Sequence, residues 1–387
     1  MKTRTLQRIG TISANALRQV LVSLYNIAIP FLVLRFASKE VWGSFVGLLL
    51  FTMLALQVIS WGSKEFQIRQ FSQSPAGISK HYSEVLATRW VWVLVFSIAA
   101  FFWLPIWESI FVVLWIIGRY LAQSAESLVI YEKAFNAAIA IETLSFLGFC
   151  AAFWFLKKDF DQQLLLVIYS FYQMAKGILY TAYFRGFVSM ADLNWQPGFH
   201  RRAFPFFLLS VLGFLASKVD VYLIALMKGR IETADYQIIN SLLVFVMSLS
   251  AFIYAPFTKN IYRNTETVID NTRKTLLALG LAVVPVAIAL VSVIIQYYLH
   301  LSFGWPFYLI AVAYVFPAFA YGIDIVNLFR LQKEKVVVGY LFIGAAANTV
   351  LSSAFIYSGF GIPGALAGSA LAQLIVLTLF KLRRREQ

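Results

Sequence analysis

Apolar runs of about 20 residues recur from one end of this chain to the other, with short polar breaks between them. A helix needs about 20 mostly apolar residues to cross a hydrocarbon core of roughly 30 Å, whereas a membrane barrel shows alternation within segments of about ten residues. Hydrophobic residues make up 60% of the chain and charged residues only 13%, which excludes an ordinary soluble domain. The sequence therefore predicts an all-α polytopic membrane protein.

The apolar runs predict about twelve transmembrane helices. The longest connections are residues 61–86 and 185–203, and the second lies close to the middle of the chain. We therefore expect an N-terminal six-helix lobe at 1–185, a cytoplasmic amphipathic linker at 186–203 and a C-terminal six-helix lobe at 204–387. The linker carries aromatic residues and a basic end, as a helix at the membrane interface does. The predicted spans are 11–34, 41–60, 87–104, 109–128, 135–156, 162–184, 204–226, 236–257, 275–298, 306–328, 336–357 and 363–381.

The basic residues outside these spans are distributed unevenly between the two sides of the membrane. With the N-terminus placed in the cytoplasm, 21 of them fall on the cytoplasmic side and 6 on the exterior side. The positive-inside rule therefore predicts that both termini are cytoplasmic. The net charge of +14 is spread over all the cytoplasmic segments, so contact with anionic membrane lipids explains it better than a nucleic-acid partner.

A few ionisable side chains lie inside or at the ends of the predicted spans. A charge near the bilayer centre costs roughly 2.5 to 3.5 kcal/mol even on insertion scales, so such residues usually face an interior cavity or a partner. We therefore treat them as candidate functional residues. They are Arg18, Arg89, Arg119, Lys176, Lys218, Asp220, Asp324 and, within the fifth span, Glu142.

The first span has one polar face, which consists of Asn15, Gln19, Ser23 and Asn26, with Arg18 at its edge. Such a face either lines a cavity or joins two helices through amides and hydroxyls. Arg18 lies about seven residues inside the cytoplasmic end, or roughly 10 Å deep at 1.5 Å per residue. A cation at that depth suits an anionic head group that enters from the cytoplasm.

Two further cations are predicted at similar depth. Arg119 shares a helix face with Gln123 and Glu126, so it either lines a cavity or belongs to an internal network. Lys176 shares a face with several tyrosines, an arrangement that suits either a sugar phosphate or ordinary packing around a snorkelling lysine.

The seventh span places Ser217 and Asp220 on one face and Lys218 on another, because residues two apart do not meet on a helix. Lys218 either lines a cavity or snorkels to the exterior interface. Pro205 is expected to start this helix, since proline is favoured in the first turn.

Three other charged residues have simpler alternatives. Asp324 and Arg89 lie towards the ends of their predicted spans, where an interfacial position is equally consistent with the sequence. Glu142 is either protonated or paired with a cation. Together with Asp220, the two carboxylates Glu142 and Asp324 are the candidates for coupling transport to an ion.

The sequence gives little support for the nucleotide-binding, metal-binding or catalytic motifs of soluble enzymes. Residues 359–364 spell GxGxxG, but they join two predicted membrane helices and do not follow a strand. Gly364 and Gly368 instead form a small-residue pair that favours close helix packing. The three histidines are far apart and there is a single cysteine, so we expect no metal, no cofactor and no covalent catalysis.

Several short motifs resemble the polysaccharide-transport branch of the multidrug/oligosaccharidyl-lipid/polysaccharide (MOP) exporter superfamily, the Wzx-type O-antigen flippases. The similarity extends over nearly the whole chain through the order and spacing of these motifs. They are PFLVLRF at 30–36, EVWG at 40–43, SKVD at 217–220, Asp235 with Tyr236, Asn348, and GIPGA at 361–365.

The resemblance implies two six-helix bundles around a central cavity that opens alternately to either side of a bacterial inner membrane. The implied substrate is an undecaprenyl-diphosphate-linked oligosaccharide, and a polysaccharide polymerase and a chain-length regulator are the implied partners. The implied cavity cations are Arg18, Arg119, Lys176, Arg89 and Lys218, with H+ or Na+ as the coupling ion.

Two alternatives stay open at this stage. A drug or cation antiporter of the same superfamily would need an acidic cavity, whereas this chain has an excess of intramembrane cations. A glycan polymerase or ligase would need a large exterior loop, and the predicted exterior loops are short. The chain also lacks the two additional spans of peptidoglycan-precursor flippases, which argues against lipid II as the substrate.

Overall fold

We describe the chain from a computed structural model that gives the backbone of residues 2–156, 160–254 and 266–385. Side chains are described for residues 13–156, 160–251 and 269–384. Within these ranges every regular element is a helix. The chain forms two compact units, Met1–Val211 and Leu212–Gln387, and each is described below by itself. The lobe and linker boundaries expected from the sequence stay a prediction.

The first unit is built from long apolar helices with shorter helices at some of their ends. Ser38 and Asp161 cap two of the long helices by accepting a hydrogen bond from a backbone N–H of the first turn. The helices of this unit are α1 (Lys2–Phe36), α2 (Lys39–Ser60), α3 (Ser63–Gln73), α4 (Ile78–Trp103), α5 (Ile106–Ser124), α6 (Glu126–Tyr131), α7 (Phe135–Leu156), α8 (Gln162–Tyr183) and the first part of α9 (Gly198–Met227).

The second unit is also built from long helices. It contains the remainder of α9 together with α10 (Arg230–Tyr254), α11 (Glu266–Tyr297), α12 (Trp305–Arg330), α13 (Glu334–Phe355) and α14 (Gly361–Arg385).

The described residues include eleven segments that are long and apolar enough to cross a membrane. One of these, Glu334–Arg384, consists of two helices, α13 and α14, of 22 and 25 residues. Between them the backbone turns at Gly359 and Gly361, whose φ angles of 89° and 52° disfavour any residue with a Cβ. The all-α, multi-pass membrane architecture is confirmed, and the GxGxxG string begins in the turn between two membrane helices and continues into the first turn of α14.

The predicted connection at 61–86 is mostly helical. It contains α3, and α4 begins at Ile78, well before the predicted start of its span. Hydropathy marks the part of a helix that lipid covers, whereas a helix with one packed face continues into the polar region. In α3 that packed face includes Phe66 and Phe71, both buried.

The linker does not form the interfacial helix that we expected for 186–203. It contains two short 3-10 turns, Arg185–Phe187 and Met190–Asp192, and α9 already begins at Gly198. Pro205 therefore lies inside α9 and not at its start.

Side chains of α4 explain the irregular path of the linker. Ser83 Oγ accepts a hydrogen bond from the Ser189 N–H at 2.8 Å, and Thr88 Oγ1 accepts one from the Gln196 N–H at 2.8 Å. These side chains accept hydrogen bonds from backbone N–H groups that a helix would otherwise satisfy. The linker can therefore run along α4 without forming a helix of its own.

Two glycines bring α5 and α8 into backbone contact. A Cβ on Gly118 would lie 2.5 Å from the carbonyl group of Gln173, and one on Gly177 would lie 2.4 Å from the carbonyl oxygen of Gly118. No methyl group fits at these distances. The crossing therefore holds Arg119 and Lys176, the sequence neighbours of the two glycines, at one level of the unit.

The small-residue pair of α14 behaves as predicted. A Cβ on Gly368 would lie 2.4 Å from the backbone nitrogen of Ser352, and one on Gly364 would lie 3.0 Å from Cβ of Phe355, both in α13. Close packing of α13 against α14 is confirmed.

Candidate functional site

Arg18 is paired with a carboxylate on another helix of the first unit. Its Nη1 donates to Glu126 Oε2 at 2.9 Å and its Nη2 donates to Glu126 Oε1 at 2.7 Å. Lys64 Nζ of α3 lies 3.5 Å from the same Oε1. Glu126 is the first residue of α6, where the start of a helix favours a negative charge.

Lys176 forms a second ion pair in the same unit. Its Nζ lies 2.5 Å from Glu142 Oε2, and the Tyr180 hydroxyl donates to Glu142 Oε1 at 3.1 Å. The Lys176 and Glu142 side chains are 4% and 7% exposed, so the pair is enclosed. Of the alternatives left open by the sequence, Glu142 is therefore paired with a cation.

Arg119 is half-buried on α5 and differs from its neighbours in having no carboxylate. It makes no ion pair or hydrogen bond with any residue that the structure describes. The internal network with Glu126 does not form, since Glu126 pairs with Arg18 and Lys64. The charge of Arg119 instead acts on Lys176 and on the tyrosines of α8.

The charges of these groups do not balance. The two ion pairs are close enough to act on each other electrostatically, because Arg18 is influenced by Glu142 and Glu126 by Lys176. With all groups charged, four cations meet two carboxylates and an excess of two positive charges remains. The group consists of Arg18, Lys64, Arg119 and Lys176 with Glu126 and Glu142. We refer to it as the cationic network.

The polar face of α1 lies next to this network. Asn15, Gln19 and Ser23 are half-buried, whereas Asn26 is exposed. Gln19 Nε2 donates to Asn15 Oδ1 at 3.4 Å, a contact within the helix. The contribution of these four residues to a cavity stays a prediction.

Arg89 is buried within the first unit, and its depth in the membrane stays a prediction. Its side chain is 0% exposed, because α4 extends further than predicted and carries it into the packed interior of the first unit. Its Nε donates to the Ile59 carbonyl at 2.8 Å, its Nη1 donates to Ser124 Oγ at 3.1 Å, and its guanidinium lies over the Tyr120 ring. These contacts stabilise the end of α2, and we assign Arg89 a structural role.

Asp220 is the centre of a buried hydrogen-bond network in the second unit. Its Oδ2 accepts from the Tyr236 hydroxyl at 2.5 Å, from Ser369 Oγ at 2.8 Å and from Asn240 Nδ2 at 3.4 Å. Asn348 Oδ1 accepts from the same Ser369 hydroxyl at 3.0 Å. All of these donors are neutral, so Asp220 has no cation in direct contact.

Lys218 and Ser217 lie beside this network. Lys218 Nζ donates to Asn240 Oδ1 at 2.6 Å, so its ammonium is held within the unit. The Ser217 carbonyl accepts from Asn240 Nδ2 at 3.2 Å. As expected from helix geometry, Lys218 and Asp220 do not form an ion pair, and Asn240 lies between them.

Asp324 is neutralised by a residue that the sequence places in a cytoplasmic connection. Arg273 Nη2 donates to Asp324 Oδ1 at 2.5 Å, and Nη1 donates to Asp270. Arg273 is only 5% exposed, because α11 begins earlier than the predicted span and buries it. This ion pair neutralises a carboxylate near the end of α12.

Sequence reasoning missed Lys64, the Arg18 partner Glu126, and the two glycines of the α5–α8 crossing. Arg18 and Glu126 are 108 residues apart, so no helical periodicity connects them. The signal for the crossing was present, since Gly118 precedes Arg119 and Gly177 follows Lys176.

No protein-family model matches the sequence, and no curated protein matches it. Solved structures do match its fold. The lipid II flippase MurJ in its inward closed conformation aligns over 96% of this chain and 87% of that chain, with a TM-score of 0.71 and 13% identity. A MATE protein in complex with MaL6 aligns over 97% and 95%, with a TM-score of 0.66 and 12% identity. An inward-facing multidrug resistance MATE family transporter of the MOP superfamily aligns over 94% of each chain, with a TM-score of 0.66 and 10% identity.

The chain has the fold of these MurJ and MATE structures. The superfamily expected from the sequence motifs stays a prediction. One fold can serve several substrates, and at 10 to 13% identity the similarity defines the fold alone. The choice between a lipid-linked glycan and a drug has to come from the side chains of this protein.

Proposed function

We propose that this chain is a transporter, not an enzyme, that flips an undecaprenyl-diphosphate-linked oligosaccharide from the cytoplasmic to the outer leaflet by alternating access. The glycan would serve surface polysaccharide biosynthesis, as O-antigen or a similar polymer, in the manner of Wzx-type flippases. The single observation that carries this proposal is the excess positive charge of the cationic network, with Arg119 free of any carboxylate.

An anionic substrate follows from the cost of charge in a membrane. A half-buried guanidinium without a counter-ion is unfavourable, and an incoming diphosphate would supply the missing negative charge. Arginine binds phosphate oxygens through two parallel hydrogen bonds, which is stronger than a contact to a neutral group. Arg119 is therefore the residue that we assign to the diphosphate, with Lys176 and Arg18 beside it.

A drug or cation antiporter is the second candidate, because several of the structural neighbours are MATE proteins. Such a protein needs negative charge for its cargo. In the cationic network both carboxylates are already paired, Glu126 with Arg18 and Glu142 with Lys176. A glycan polymerase or ligase has less support still, since the described connections on the predicted exterior side, such as 37–38, 104–105 and 298–304, are short.

We propose that the protein lies in the bacterial inner membrane with both termini in the cytoplasm. A polysaccharide polymerase and a chain-length regulator would act on the flipped product. The positive-inside charge distribution supports this orientation.

Reconstitution tests the transport function. The full chain is placed in liposomes that contain a fluorescent undecaprenyl-diphosphate-linked oligosaccharide, and its movement between leaflets is followed with a membrane-impermeant quencher. We expect faster exchange than in protein-free liposomes and no uptake of a cationic dye such as ethidium. Gradient-driven dye uptake without movement of the lipid would favour the antiporter.

Asp220 is our choice for ion coupling by H+ or Na+. Glu142 and Asp324 each contact a cation directly, whereas Asp220 accepts only from neutral donors. A carboxylate without a fixed counter-ion can exchange a bound cation or proton more readily than one held in an ion pair.

The Asp220→Asn variant tests this choice. It retains the shape of the side chain, so we expect a folded protein whose lipid transport no longer responds to an imposed H+ or Na+ gradient. Asp192→Asn, at a half-buried position in the linker, is the control and should keep the response. A normal gradient response in Asp220→Asn would show that Asp220 does not couple transport to the ion and that another carboxylate does.

A further inference from the structure

The Glu126 carboxylate binds the Arg18 guanidinium in the same geometry that a phosphate group would use. Both terminal nitrogens of the guanidinium donate to the carboxylate, at 2.9 and 2.7 Å. Arginine uses the same two-point fork for carboxylates and for phosphates. The Arg18 side chain is only 7% exposed, and its Nε has no hydrogen-bond partner among the described residues. A phosphate can therefore bind this guanidinium by the fork only if Glu126 leaves it.

Lys64 is a second cation with which Glu126 can pair. Lys64 Nζ lies 3.5 Å from Oε1, the same oxygen that accepts from Arg18. Exposure rises along the three side chains, from 7% for Arg18 through 25% for Glu126 to 43% for Lys64. Glu126 can thus exchange the inner cation for the outer one by rotation of its own side chain. Because a buried carboxylate without a cation is strongly unfavourable, this exchange is easier than release to no partner.

The backbone around Lys64 is fixed by packing. Trp61 and Gly62, which separate α2 from α3, both have positive φ angles, of 43° and 65°. A Cβ on Gly62 would lie 2.5 Å from the backbone nitrogen of Phe207, and the Trp61 ring stacks on the Phe207 ring at 4.0 Å. Lys64 therefore stands at a defined point beside Glu126, and the exchange requires side-chain motion only.

We propose that Glu126 is a built-in competitor of the substrate, which a lipid-linked phosphate or diphosphate displaces from Arg18 and which Lys64 then holds. When the phosphate leaves, Glu126 returns to Arg18 and prevents the anion from staying bound. This inference rests on the proposed function, because it requires an anionic substrate. It assigns Lys64 as a positioning residue that acts through Glu126.

Binding measurements on the full chain in lipid nanodiscs test the exchange. The probe is geranylgeranyl diphosphate, and its Kd is measured by titration with tryptophan fluorescence. Glu126→Gln removes the competing charge and should lower the Kd about tenfold, whereas Lys64→Met should raise it about tenfold. Glu132→Gln and Lys274→Met change exposed residues of the same types and should leave the Kd unchanged.

The double variant separates two roles of Lys64. If Lys64 acts only through Glu126, Lys64→Met combined with Glu126→Gln should bind the diphosphate as tightly as Glu126→Gln alone. If Lys64 contacts the phosphate itself, the double variant will bind more weakly than the single one, and the exchange proposal is overturned.

Wild-type binding distinguishes a failure of this inference from a failure of the proposed function. If wild type binds geranylgeranyl diphosphate no better than geranylgeraniol, the anionic substrate is refuted. If wild type prefers the diphosphate and Glu126→Gln does not tighten binding, only the exchange is refuted. If Glu126→Gln does not fold, Lys64→Met alone tests the exchange, because it changes only a half-exposed side chain. An unchanged Kd in Lys64→Met would refute the exchange.

Discussion

Arg119→Glu should reduce flipping of the diphosphate lipid in proteoliposomes by at least about 30-fold, the effect of losing a desolvated charge contact of about 2 kcal/mol. The substitution replaces an unpaired cation with an anion, so the network would repel the diphosphate that it is proposed to attract. No ion pair within the described chain is broken, because Arg119 has none. The protein should therefore fold and insert normally, which size-exclusion chromatography checks.

Two further variants show whether the effect comes from charge at this position. Arg119→Lys keeps the charge but loses the fork, so we expect intermediate transport. Arg185→Glu reverses an exposed arginine beyond the end of α8 and should transport normally. Normal transport by Arg119→Glu would remove Arg119 from the substrate site and with it the main support for a diphosphate ligand.

The same test at Arg18 would be harder to interpret. Arg18→Glu would place two carboxylates against each other and leave Glu126 with Lys64 alone. Breaking a buried pair in this way typically costs about 3 to 5 kcal/mol of stability. A loss of transport in that variant would not separate substrate binding from folding, whereas Arg119→Glu does.

Gly177→Ala should lower the thermal stability of the first unit. The new methyl group would lie 2.4 Å from the Gly118 carbonyl oxygen, so α5 and α8 would have to separate. Overpacking of this kind typically costs about 1 to 3 kcal/mol. We expect an apparent Tm in detergent several degrees below that of wild type, together with reduced transport, because the crossing positions Arg119 and Lys176.

Gly148→Ala is the matched control. Gly148 is also a helical glycine of the first unit, but a Cβ there would meet nothing within 4 Å. Alanine is favoured over glycine in a helix by up to about 1 kcal/mol, so this variant should be as stable as wild type or more so. Equal Tm values for Gly177→Ala and Gly148→Ala would show that the α5–α8 crossing tolerates a wider separation.

The membrane spans could be predicted because hydropathy is a local property. The two helices α13 and α14 follow the predicted spans 336–357 and 363–381 closely. Helix ends were less predictable where they carry polar residues. Both α3 and the first turns of α4 fell in a predicted connection, since packing against other helices, and not hydropathy, keeps these segments helical.

The candidate site could be predicted only as a set of residues. The sequence identified Arg18, Arg119 and Lys176 as costly intramembrane cations at similar depth. The structure distinguishes them, because Arg18 and Lys176 each meet a carboxylate whereas Arg119 does not. Burial likewise gives Arg89 a structural role that its position in the sequence did not indicate.

The sequence alone determined that this chain is a multi-pass helical membrane protein with more cations than anions in its spans. Both properties follow from composition along the chain, since the cost of placing a side chain in lipid depends on that side chain. Which cation stays unpaired was decided by tertiary structure. Ion pairs depend on distances of a few ångströms between helices, and the backbone contact of Gly118 with Gly177 sets such distances for residues far apart in sequence.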